Sequence, residues 1–124
     1  MALRCPDCGV AALGIEESIE LGSDDRSDEV ALQIVECHAC GAEYVAVYEE
    51  SRRGALDDES VWHAAYPADT EALNEVRSII ASCRDPREAD CGCRGHQRAR
   101  EFVQDEDSPG VDWEQPKPIV FVRD

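Results

Sequence analysis

Apolar and polar residues alternate over Leu13, Ile15, Ile19 and Leu21, and again over Val30, Leu32 and Ile34. That is the period of a strand with one buried face. Glu17 alone breaks the first run at a position that should be apolar. Between the runs, residues 22–29 (Gly-Ser-Asp-Asp-Arg-Ser-Asp-Glu) form a polar turn, so the two strands are expected to pair as an antiparallel hairpin. Residues 44–48 predict a third strand, and residues 61–66 a further short one ended by Pro67. Residues 119–122 predict a terminal strand, which Pro116 and Pro118 favour for an edge.

The period then changes. Leu73, Val76, Ile80 and Cys83 recur at helical spacing, with Asp69 or Thr70 as cap and Glu71 in the first turn. Asp85, placed before Pro86, is pushed out of helical geometry and is expected to end the run. Residues 95–104 predict a second helix with His96, Ala99 and Val103 on one face, and residues 105–110 a solvated loop.

Two Cys-x-x-Cys-Gly turns flank the hairpin: Cys5 and Cys8 before it, Cys37 and Cys40 after it. A thiolate pair two residues apart supplies two corners of a tetrahedron, and a second pair completes a zinc site. Gly9 and Gly41 give each turn the backbone freedom it needs. The 28 residues between Cys8 and Cys37 suit a long hairpin. Over residues 3–50 the chain resembles the zinc-ribbon family, with these four cysteines at its ligand positions. Rubredoxins have similar knuckles and bind iron, which makes iron the minor alternative.

The other cysteines form a second array, Cys83, Cys91, Cys93 and His96. Seven cysteines and one histidine make eight ligands, enough for two closed tetrahedral sites and two zinc ions. The lesser alternatives for this array are a Cys-x-Cys redox switch, an iron–sulfur cluster and free thiols beside a buried Cys83. Arg84, Arg87, Arg94, Arg98 and Arg100 crowd it, which would balance the charge of a three-thiolate zinc centre; the lesser alternative is a small basic face for phosphate or an acidic partner. His38 is expected to face solvent, and His63, on a strand beside Trp62, to be a packed or hydrogen-bonded core residue.

Charge narrows the partners. The chain carries a formal net charge of −16, and seven thiolates against two zinc dications would lower it by three more, to about −19. Residues 1–50 hold twelve acids against Arg4 and Arg26. Nucleic-acid binding needs Lys and Arg to displace counterions, so no direct contact with DNA or RNA is expected. No run approaches membrane-spanning length and the start lacks an apolar export segment, so the expected location is cytoplasmic. Cysteines in that reducing compartment read as ligands rather than disulfides.

No nucleophile–base arrangement can be assembled without dismantling a metal site, and there is no phosphate-binding glycine loop. The hairpin tip Arg26-Ser27-Asp28-Glu29 resembles the tip of transcript-cleavage elongation factors. That resemblance implies an acidic pair, Asp28 and Glu29, inserted into RNA polymerase beside a catalytic magnesium. The expected architecture is a small, metal-stabilised α+β protein. Residues 1–51 would form a three-stranded antiparallel zinc ribbon and residues 52–124 an α+β part with the second zinc, the two able to pack as one unit. The expected role is a non-catalytic zinc-binding adaptor or regulator that contacts a protein partner with a basic surface. The alternatives are the transcript-cleavage factor and an acidic mimic or immunity-type inhibitor.

Overall fold

The computed structural model describes residues 2–22, 29–51, 60–88, 91–104 and 110–122. Five strands come first: β1 (Ala2–Arg4), β2 (Leu13–Gly22), β3 (Glu29–Cys37), β4 (Glu43–Ser51) and β5 (Ser60–Pro67). Two helices follow, α1 (Thr70–Ala81) and α2 (Arg94–Gln104), then the short strands β6 (Lys117–Pro118) and β7 (Val120–Val122). The strands form one antiparallel sheet in the order β6-β5-β4-β3-β2-β1-β7. The α+β class read from the sequence holds, and the three ribbon strands are β2, β3 and β4 within this larger sheet.

The first and last strands in that order are separated in sequence by Ile119 alone. Lys117 and Pro118 pair with β5, whereas Val120, Phe121 and Val122 pair with β1. One extended segment can touch both borders only if the sheet curls on itself, a shape that accumulated strand twist favours. The terminal strand expected at an edge therefore bridges two edges.

β3 is buried on both faces. Val30, Leu32 and Ile34 join Ile19, Leu21, Val45 and Val47 on the outer face, where both helices pack. Val35 and Cys37 point the other way, into an interior shared with Cys5, Leu13, Tyr44, Ala46, Ala65 and Ile119. The alternation in β2 slips because of a bulge between Ile15 and Glu17. Ile15 pairs with Val35 but Glu17 pairs with Ile34, so Leu13 belongs to the interior and Ile19 to the outer core. One extra residue changes which face the later side chains occupy. The apparent single run over Leu13, Ile15, Ile19 and Leu21 is thus two half-runs on opposite faces, and Glu17 shares the outer face with Ile19.

Asp69 caps α1, its Oδ1 accepting from the Ala72 amide at 2.8 Å. The helix buries Leu73, Val76, Ile79 and Ile80 against the sheet. It stops at Ala81, earlier than Asp85-Pro86 required. The Ser82 hydroxyl donates to the Ile79 carbonyl at 2.7 Å, a local bond that competes with further helix. Cys83 thus lies in the turn and not on the helix. In α2 the buried face is Gly95, His96, Ala99 and Phe102, with Phe102 taking the core position expected of Val103. A Cβ on Gly95 would fall 2.7 Å from Ser82 Oγ and 3.1 Å from the Ile79 oxygen, so this glycine lets α2 approach the end of α1 closely.

Candidate metal centres

The two knuckles are near copies of each other. In the first, which joins β1 to β2, Gly9 donates to the Cys5 carbonyl at 3.0 Å and Cys5 donates to Val10 at 2.9 Å. In the second, which joins β3 to β4, Gly41 donates to Cys37 at 2.8 Å and Cys37 to Ala42 at 2.9 Å. Gly9 and Gly41 have φ of 78° and 79°, a left-handed backbone that a side chain would strain. Amides turn towards sulfur: Asp7 to Cys5 Sγ at 3.4 Å, and Ala39 and Cys40 to Cys37 Sγ at 3.4 and 3.5 Å. Such donors stabilise thiolate over thiol.

The curl brings the knuckles together. Cys5 and Cys40 sulfurs lie 3.8 Å apart, and those of Cys8 and Cys37 lie 3.6 Å apart. A zinc–sulfur bond of about 2.3 Å gives a regular tetrahedron sulfur–sulfur edges of about 3.8 Å. A disulfide would need about 2.05 Å, and all seven cysteines are free. Cys5 and Cys37 are buried while Cys8 and Cys40 face outward, so the centre sits at the rim of the sheet's interior.

Ionisation of the set is uneven. The Cys37 thiol is drawn down to about 7, chiefly by the Cys40 amide and then by that of Ala39. For Cys40 the Ala42 amide also acts to lower the value, but partial desolvation and the crowd of neighbouring sulfurs outweigh it and push the thiol up to about 12. Four thiolates crowded together without a cation repel one another. A dication removes that conflict, and this donor set is the one zinc takes in closed structural sites.

The second array is assembled by the helices. Cys83 follows α1, Cys91 and Cys93 lie in the turn, and His96 sits in the first turn of α2. Cys83 and Cys91 sulfurs are 3.9 Å apart, and His96 Nδ1 lies 3.0 Å from Cys83 Sγ and 3.4 Å from Cys93 Sγ. The four ligand atoms of each centre lie within 4.8 Å of one another. Cys93 is drawn down to about 6 by the His96 amide first and the His96 ring second. Cys83 is pushed up to about 11, mainly by burial. His96 is fully buried and turns Nδ1 to the sulfurs, while its Nε2 has no hydrogen-bond partner among the described residues. Arg84, Arg87, Arg94 and Arg98 are exposed around the centre, and Arg100 Nε donates to the Leu21 carbonyl at 3.3 Å.

All eight ligand residues read from the sequence therefore fall into the two expected groups. A third group, Glu16, Glu36 and His38, gathers at the surface, where His38 Nε2 lies 3.1 Å from Glu16 Oε1. His38 faces solvent as expected, and the contact is too exposed to hold much. Asp28 and Arg26 lie outside the described residues, and Glu29 opens β3 as an exposed residue. His63 is hydrogen-bonded as expected: its Nε2 lies 2.8 Å from Gln33 Oε1, and Tyr48 meets its ring edge-on at 5.4 Å. Sequence reading missed the cluster around it, although Gln33, Tyr48, Glu50 and His63 each fall on the interior-facing register of its strand. A glutamine inside an otherwise apolar run was the available signal.

No protein-family model, no curated protein and no solved structure matches this chain. Among the described residues no helix is long and apolar enough to cross a membrane.

Proposed function

We propose that this is a non-catalytic zinc-binding protein in which two structural ions hold a small scaffold that acts through protein–protein contacts, as an adaptor or regulator. The observation that carries the reading is the closure of both donor sets. Each has four protein ligands at tetrahedral spacing, which leaves no coordination position for water or substrate. A closed thiolate-rich site supports folding and not hydrolysis.

The net charge of −16 favours a partner with a basic surface and disfavours nucleic acid. The test is capture with the zinc-loaded chain, followed by affinity measurement across salt concentration. Association that weakens steeply with salt supports the reading. Turnover of a substrate by the metal-loaded protein, with no protein captured, overturns it.

A further inference from the structure

The interior of the curled sheet is filled at one end and open at the other. Beside the first metal centre, Leu13, Val35, Tyr44 and Ala46 pack it closely. Towards the other end of β2, β3 and β4 a cavity of about 590 Å³ opens. Small-molecule sites span roughly 300–1,000 Å³, and the mouth of a barrel is a common place for one. Its walls come from across the sheet, from Leu3 of β1 to Val61 and His63 of β5, with Ile119 beneath.

The lining has two kinds of surface. Ile15 and Val61 are 47% and 56% exposed, large aliphatic residues left in contact with solvent at the cavity. Beside Val61, on β5 and the neighbouring strands, is a polar wall. Gln33, 6% exposed, is held by His63, and the Tyr48 hydroxyl donates to Glu50 at 2.9 Å.

Among the described residues that line the cavity the charged ones are acidic, Glu20 and Glu29, and the groove that adjoins them on the outside also takes in Arg87. Glu29 stands opposite Glu50 across β3 and β4, and Glu20 opposite Ala31 across β2 and β3. Three carboxylates on adjacent strands thus share the interior face, where like charges destabilise pairing. Burial, and secondarily Glu29, raises the Glu20 carboxyl above its ordinary value. No Lys or Arg is among the described residues that line the cavity. Glu20 and Glu29 would repel an anionic ligand inside the cavity, whereas an ammonium group between them would be attracted and could also lie against the Tyr48 ring.

We propose that this cavity binds a small amphipathic amine, with the ammonium between Glu20 and Glu29 and the apolar body against Ile15, Val61 and Leu3. Gln33 and His63 form the polar floor that orients it.

The zinc-loaded full chain, labelled with nitrogen-15, would be titrated at low salt with phenylethylamine, phenylethanol and phenylpropanoate. The expected result is saturable shifts at Ala31, Val61, His63 and the Gln33 side-chain amide, with the amine bound at least about tenfold more tightly than the alcohol. The carboxylate should give no saturable shift. Glu20→Gln should weaken the amine about tenfold and leave the alcohol unchanged. Equal binding of amine and alcohol, saturable shifts confined to other surfaces, or no saturable shift would each overturn the proposal. If Glu20→Gln does not fold, the comparison of the three probes on the native chain decides.

Discussion

Cys83 Sγ lies 3.0 Å from His96 Nδ1, although thirteen positions separate the two residues. One follows the end of α1 and the other sits in the first turn of α2. Their meeting ties the two helices at their ends, with Gly95 providing the close approach. Elemental analysis of the native chain should find two zinc ions. His96→Cys should keep both, because it restores a four-ligand site. His96→Ala should lose the second ion, weakening that site by more than the roughly 10–100-fold that changes to supporting residues cost.

Loss of the two centres should have different structural consequences. Cys83→Ser should loosen α2 and the turn before it, lowering helical signal while the sheet persists. Cys37→Ser strikes a fully buried ligand beside Leu13 and Val35, and should abolish cooperative unfolding. Structural zinc in small domains contributes on the order of 10–16 kcal/mol, more than the roughly 5–15 kcal/mol net stability of a typical domain. Circular dichroism of each variant, with and without a strong chelator, reads the difference.

Gly95→Ala should destabilise the protein even though alanine is the better helix former by about 1 kcal/mol. The added carbon would meet Ser82 Oγ at 2.7 Å and the Ile79 oxygen at 3.1 Å. Overpacking of this kind costs roughly 1–3 kcal/mol, so a net loss is expected in denaturant melts. Ser82→Gly in the same background should recover part of it by removing one of the two clashing atoms.

Burial holds the His63 imidazole below its ordinary value of 6.5. The folded protein therefore resists a proton that the unfolded chain accepts. The associated stability is fully present above about pH 6.5 and is lost as pH falls through the lower folded-state value. Proton-detected titration should place the His63 midpoint below 6.5. His63→Gln should flatten the difference in stability between pH 7 and pH 5.5; an unchanged slope would show that His63 does not carry the dependence.

Much of the candidate site was legible before any coordinates. Ligand spacing is a local property of the chain, because a Cys-x-x-Cys-Gly turn forms within a few residues and announces its own chemistry. Alternation over Val30, Leu32 and Ile34 likewise reports β3 directly. The slip in β2 was not legible, since Leu13, Ile15, Ile19 and Leu21 keep one unbroken spacing in the sequence and the bulge is set by pairing with β3.

By itself, then, the sequence determined the eight candidate ligands, the strands of the hairpin, the two helical stretches and the sign of the surface charge. Only the tertiary structure decided that residues 117–122 bridge the two borders of one sheet, and that Gln33, Tyr48, Glu50 and His63 face a common interior. The reason is physical. Ligand turns and amphipathic periods are short-range, encoded within a few residues of one another. Closure of the sheet joins Leu3 to Phe121 and Ala65 to Lys117 across most of the chain or half of it, and it depends on the twist accumulated over every strand between.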